Sequence, residues 1–283
     1  MSLSTFTTTG KSVTFCGCGW LGQHFARQST DWTIAGTTRS KDKARLLKTL
    51  GVTPLIYALG DDPHRLTSSL AHNNLVLNIP PGRKGSIDSD FVNHVTKLVD
   101  TLLLSSTQRL IFISTTSVFG KREGLVSENS ERAPDTASGK AHCEIEDHLL
   151  AKQDARISVL RLSGLIGQDR HPIKFLAGKE LVNGGQPVNL VHVDDVITAL
   201  KNVLTQKLET RQPNVFHLCS TVHPTRKAYY TEAARQFSLP SPIFNDEAGV
   251  NSKVIDCHSS LKKLGLSLKY ASPYGMLPDC LSE

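Results

Sequence analysis

The chain has 283 residues, 39% hydrophobic and 20% charged, enough apolar material for a sizeable core and too much for wholesale disorder. The length suits one α/β domain with a small appended lobe, not two independent domains. The net charge of +6 comes from 32 basic and 26 acidic residues, with no block of five like charges and no basic–aromatic interleaving, so an ordinary basic enzyme surface is expected and no nucleic-acid partner.

Residues 1–10 are rich in Ser and Thr and lack the apolar segment of a secretory signal. No run approaches the roughly 18 apolar residues of a membrane span, so no membrane partner is expected. A cytoplasmic chain follows, with Cys16, Cys18, Cys143, Cys219, Cys257 and Cys280 as reduced thiols. Their spacing fits no zinc site, and no metal is expected.

The first apolar run, 12–16, predicts a strand and leads directly into Gly17-Cys18-Gly19-Trp20-Leu21-Gly22. A G-x-G-x-x-G between a strand and a helix predicts a dinucleotide phosphate loop. Gly17 permits the tight turn, Gly19 lets the backbone approach a pyrophosphate, and Gly22 lets helix and strand pack closely. Backbone N–H groups of Trp20 and Leu21 at the helix start would hold the anion. Cys16 and Cys18 are expected to pack, not react. The second strand, 32–37, ends in Thr38-Arg39-Ser40-Lys41, where an NAD site would carry Asp or Glu. No carboxylate appears until Asp42. Arg39 can clamp a 2′-phosphate and Ser40 can add a hydrogen bond, which favours NADP, with NAD second. The alternative for Arg39 is a solvated loop residue.

Further strands are predicted at 53–58, 74–78, 108–114, 156–161 and 214–219. Between them, Ile87, Phe91, Val95, Leu98 and Leu102 share one helix face. A second amphipathic helix runs from Asp194, with Val196, Ile197, Leu200, Val203 and Leu204 apolar. Strand–helix alternation predicts a Rossmann-type doubly wound parallel sheet. The rhythm breaks at 164–186, which has five glycines and little strand signal, and again from 221 onward. The expected organisation is a dinucleotide-binding core over 10–165, completed by a return segment over 188–220. A smaller, mainly C-terminal substrate lobe is expected from 166–187 and 221–283.

Several segments in this order resemble the extended short-chain dehydrogenase/reductase superfamily, the epimerase/dehydratase group. Leu59-Gly60-Asp61-Asp62 stands where that family has an Asp near the adenine. Asn78-Ile79-Pro80-Pro81 stands where its backbone passes the nicotinamide side, which assigns Ile79 and Pro80 to the cofactor. Ile113-Ser114-Thr115-Thr116-Ser117-Val118-Phe119-Gly120 is similar to its Ser/Thr segment ending in V-Y-G. Val191-His192-Val193-Asp194-Asp195-Val196 is similar to its return segment. The likeness covers about the first 260 residues. Its Gly-Trp-Leu-Gly loop and Arg170-His171-Pro172 resemble the atypical YeeZ-like branch.

The resemblance implies a Ser/Thr, Tyr and Lys set, with tyrosine four residues before lysine as the acid/base. Thr115 and Lys140 match, and Lys140 either touches the nicotinamide ribose or is solvated. Thr136 occupies the tyrosine position, and none of the five tyrosines precedes a lysine by four. A threonine hydroxyl cannot replace a phenol, because its pKa lies several units above the roughly 10 of tyrosine. His142 is the first substitute proton donor, with Cys143, Glu144, His171 and His192 as further options. Glu144 is also explained by an i,i+4 ion pair with Lys140. Asp194 and Asp195 are explained by capping and structural bonding. The expected function is an NADP-dependent oxidoreductase or epimerase-like enzyme lacking the usual tyrosine. Its partner would be a small-molecule substrate, a nucleotide-linked sugar among the options. The alternative is a non-catalytic NADP-binding sensor.

Overall fold

The computed structural model describes residues 11–68, 70, 74–82, 90–206, 211–249 and 251–277. In chain order the first elements are β1 (Ser12–Cys16), α1 (Trp20–Arg27), β2 (Thr33–Thr38), α2 (Lys41–Thr49), β3 (Val52–Ile56), α3 (Pro63–Thr67), β4 (Asn74–Leu77), α4 (Phe91–Leu103) and β5 (Arg109–Thr115). Next come β6 (Leu125–Val126), α5 (Ala137–Ala151), β7 (Ile157–Leu162), β8 (Gly164–Ile166), α6 (Ile173–Leu176), β9 (Glu180–Leu181) and β10 (Leu190–His192). The last are α7 (Val193–Thr205), β11 (Asn214–Leu218), α8 (Arg226–Gln236), β12 (Ile243–Phe244), β13 (Val254–Ile255) and α9 (His258–Leu264). Short 3-10 turns cover Thr116–Phe119 and Pro273–Met276.

The seven apolar runs predicted as strands all form strands, each within two residues of its expected bounds. They assemble into one sheet of order β11-β7-β5-β4-β1-β2-β3. The β1–β2, β1–β4, β2–β3, β4–β5 and β7–β11 pairs are parallel. The order runs outward from β1 in both directions, so β1 and β4 flank the switch point where doubly wound sheets take their ligands. Four of five β1 residues are buried, as expected of a parallel strand covered on both faces.

The chain falls into two compact units. One runs up to Gly82 and resumes from Asp88 to Phe112; the other takes the short intervening segment and everything from Ile113 on. In the first unit, Phe91, Val95, Leu98 and Leu102 are buried on one face of α4, as the spacing predicts; Ile87 lies outside the described residues, as do Cys280 and residues 1–10. In the second, Val196, Ile197, Leu200, Val203 and Leu204 are buried along α7. The segment expected to have little strand signal contains β8 and β9, which pair in parallel with β10 and β12. Strands of two and three residues are too short to show a period-2 pattern. Around them, Ile166, Ile173, Val188, Leu190, Tyr229 and Ala233 form a second apolar cluster. Among the described residues no helix is long and apolar enough to cross a membrane.

Candidate functional site

The loop between β1 and α1 has the geometry its glycines require. Gly17 has φ +88°, and a Cβ there would stand 2.5 Å from the Asn78 carbonyl oxygen, so backbone from the end of β4 closes over it. Gly22 is equally constrained: a Cβ would meet Cys18 Sγ at 2.9 Å and the Phe15 ring at 3.3 Å. Gly19 differs. The nearest protein atom to a Cβ at this position is 3.9 Å away. Gly19 is the N-cap of α1 with no side-chain cap, and no acidic residue stands in the first turn. The helix start therefore carries backbone donors without a capping side chain, beside a glycine that protein atoms do not crowd, which fits a pyrophosphate. Trp20 at the first helical position lies with its ring centroid 4.3 Å from that of His24, and Leu21 is buried.

Two residues that support this loop were not singled out from the sequence. The Gly17 N–H donates to Thr37 Oγ1 at 2.7 Å, and the Cys18 N–H donates to the Thr37 carbonyl at 3.1 Å. The end of β2 thus holds the loop from below. Gly36 makes room for Cys18, whose Cβ would lie 2.5 Å from a Cβ at Gly36. Burial pushes the Cys16 thiol up to about 12 and the Cys18 thiol to about 11, so both pack as neutral thiols.

Beyond Thr37, Arg39 is exposed and makes no hydrogen bond or ion pair with the described residues. Its guanidinium is open to an added anion. Ser40 is the N-cap of α2: its Oγ accepts from the Lys43 N–H at 3.4 Å, which leaves the hydroxyl proton for another acceptor. Asp61 is partly committed to its own turn, where Oδ2 accepts from the Ala58 N–H at 2.9 Å. Asp62 caps α3 through the His64 N–H. Ile79 is half-buried and Pro80 exposed, just past β4.

In the second unit, Thr115 ends β5 and caps the turn that follows. Its Oγ1 accepts from the Ser117 N–H at 3.1 Å and donates to Ser117 Oγ at 3.1 Å. Ser117 therefore adds a second, unforeseen hydroxyl. Thr136, in the tyrosine position, is the N-cap of α5: its Oγ1 accepts from the Gly139 N–H at 3.0 Å. The helix starts one residue later, and Lys140 lies on its first turn, exposed. The ion pair expected between Lys140 and Glu144 is not formed; both side chains extend into solvent. An exposed i,i+4 pair gains too little to hold two long side chains in one geometry.

The candidate proton donors take other roles. His142 is buried, and its Nδ1–H donates to the Ser138 carbonyl at 2.7 Å; burial pushes its pKa down, leaving a neutral ring with Nε2 as an acceptor, not an acid. The Cys143 thiol is buried and raised. His171 is buried in the second apolar cluster. Its Nδ1 accepts from the Ile173 N–H, so Nε2–H donates to Tyr229 Oη at 2.8 Å, and burial brings its pKa down to about 4. His192, not Asp194, caps α7 by accepting from the Asp194 N–H. Asp195 is buried and accepts from the Lys269 and Tyr270 N–H groups, while Asp194 pairs with Lys269 Nζ at 2.9 Å. The two carboxylates fasten the C-terminal segment, as structural bonding predicts.

Sequence reading missed a buried polar network. Glu146 on α5 is fully buried, and Arg161 of β7 is 3% exposed. Arg161 donates to both Glu146 oxygens through Nε at 3.1 Å and through Nη2 at 2.7 Å, while Ser114 donates to Glu146 Oε1 at 2.5 Å. Arg132 adds a second guanidinium at 3.1 Å. Phe119, where the resembling family has tyrosine, lies 5.2 Å beneath the Arg161 guanidinium and edge-on to His217. An apolar ring there needs no hydrogen-bond partner.

Protein YeeZ of Escherichia coli (strain K12) is 32% identical to this chain over 273 residues, 94% of this chain and 98% of that protein. No family model matches. Among solved structures, the UDP-glucose-4-epimerase from Stenotrophomonas maltophila with bound NAD and formylated UDP-arabinopyranose is similar at TM-score 0.78, with 15% identity and 96% of each chain covered. The UDP-glucuronic acid 4-epimerase from Bacillus cereus in complex with NAD is similar at TM-score 0.75 and 16% identity, over 91% of this chain and 94% of that one. The fold is that of the NAD-binding epimerase/dehydratase-like proteins.

Proposed function

The chain belongs to the YeeZ family, and from that premise we propose that it is an NADP-binding oxidoreductase or epimerase-like enzyme that works without the tyrosine acid. The observation that carries this reading is the uncapped helix start at Gly19, where a Cβ would meet only the Gly17 oxygen at 3.9 Å, with an Arg39 past the next strand that pairs with none of the described residues. The backbone N–H groups of Trp20, Leu21 and Gly22 at the start of α1 bind the pyrophosphate. Arg39 and Ser40 take the 2′-phosphate, Asp61 the adenine side, and Ile79 and Pro80 the nicotinamide side. Thr115 orients the substrate through its hydroxyl, and Lys140 binds the nicotinamide ribose, roles that the family resemblance gives them. The nicotinamide, when bound, supplies hydride transfer. The residues 166–187 and 221–283 form the substrate lobe. The substrate class is a nucleotide-linked sugar, by analogy with the ligands of the structurally similar epimerases.

A specific observation favours a second reading, an NADP-binding sensor without turnover. Thr136 is spent as a helix cap, and neither His142 nor His171 is held as an acid. The test that separates the two is a screen of nucleotide sugars with NADP and with NAD, following cofactor absorbance and epimer formation. Turnover supports the enzyme. Binding without turnover across the panel supports the sensor.

A further inference from the structure

Lys253 was not marked by the sequence and has no counterpart in the Tyr–Lys pattern. It precedes β13, which pairs in parallel with β6. The half-buried side chain reaches the turn after Thr115: Nζ donates to the Thr116 carbonyl at 3.2 Å and to the Gly120 carbonyl at 2.6 Å. The backbone around it is fixed. The Asn189 amide donates to the Lys253 carbonyl and accepts from the Ile255 N–H, and the Val254 N–H donates to the Gly124 carbonyl. The turn itself is confined: a Cβ at Gly120 would stand 2.1 Å from the Ala133 oxygen, and one at Gly139 of α5 would stand 2.8 Å from the Ser117 oxygen. One small region thus gathers the Thr115–Gly120 turn, the start of α5 and a cation.

We infer that Lys253 is a positioning residue of the candidate site, whose ammonium locks the Thr115–Gly120 turn and so fixes the paired hydroxyls of Thr115 and Ser117. The inference rests on the reading of Thr115 as a site residue. An ammonium that bonds the Thr116 and Gly120 carbonyls, four residues apart in this turn, restrains it more than packing alone, because each bond is charge-assisted. Burial pushes the Lys253 pKa below the usual lysine value, with the Asp135 carboxylate opposing that shift. Holding a half-buried cation against two carbonyls carries a desolvation cost that an apolar side chain of the same length would avoid.

The test is amide hydrogen exchange over residues 115–120 in the full chain, comparing the native protein with Lys253→Met, Lys253→Arg and, as a control, the neighbouring exposed Lys121→Met. Methionine keeps the packing volume without the donors. Lys253→Met should lower protection of the Ser117 and Gly120 amides roughly 10- to 100-fold. Lys253→Arg should restore most of it, and Lys121→Met should leave it unchanged. Native protection in Lys253→Met would overturn the inference, as would equal loss in the Met and Arg variants. If Lys253→Met proves unstable, Lys253→Gln takes its place: lowered protection that the arginine variant restores supports the lock, and native protection refutes it. A separate measurement on Thr115→Val isolates the premise. Unchanged ligand binding and turnover there would remove Thr115 from the site and leave the lock on the turn standing.

Discussion

Arg39 is exposed, has no partner among the described residues and follows the strand end where an NAD site would place a carboxylate. A charge-assisted bond to a phosphate is worth about 1.5–3 kcal/mol. Arg39→Ala should therefore weaken NADPH binding by roughly 10- to 100-fold and barely change NADH, read by fluorescence titration of the two tryptophans. The loop glycines separate binding from stability. A Cβ at Gly19 would meet only the Gly17 oxygen, at an ordinary contact distance of 3.9 Å, so Gly19→Val should leave the melting temperature close to native and abolish dinucleotide binding, because the added side chain fills the approach of the pyrophosphate. Gly17→Ala places a Cβ 2.5 Å from a carbonyl oxygen at φ +88° and should lower the melting temperature instead. Retained binding in Gly19→Val would move the cofactor away from this loop.

At the scale of elements, α5 decides what a restored tyrosine can do. Thr136 lies outside the helix, with its hydroxyl committed to the Gly139 N–H. Thr136→Tyr removes that cap, at a cost of about 0.5–2 kcal/mol, before its phenol meets any ligand. The expected result is a lower melting temperature without epimerase activity towards nucleotide sugars, checked by thermal unfolding and a product assay. The main strands were legible because each is an apolar run of four to seven residues bounded by turns. The glycine loop after β1 was legible because three glycines stand at fixed spacing directly between an apolar run and a helical stretch. The N-cap at Thr136 was not, since Thr-x-x-Gly lacks the acidic residue of a capping box. Glu146 and Arg161 were missed for a different reason. They are 15 residues apart in sequence and become a pair only when α5 packs on β7. Thr37 and Lys253 likewise act across the fold, at separations of 20 residues from Gly17 and 133 from Gly120.

Across the whole molecule, buried histidines couple stability to pH. Burial lowers the pKa of His171 to about 4, against roughly 6.5 in the unfolded chain. The unfolded state then binds the proton first. The stability that neutral His171 confers is fully present above pH 6.5 and is lost as the pH falls towards 4. His142, His217 and His223 are shifted in the same direction. The melting temperature should fall across this window, and His171→Gln, which does not titrate, should flatten part of the slope. An unaltered slope in that variant would assign the acid sensitivity to other groups.

The proposed function depends on a dinucleotide bound at the loop after β1, in a fold whose structurally similar epimerases hold NAD. The most direct measurement is titration calorimetry of the native protein with NADPH and with NADH under the same conditions. The loop and Arg39 predict that NADPH binds, and binds at least tenfold more tightly than NADH. Equal affinities would contradict the choice of NADP, and binding of neither would contradict the cofactor site itself.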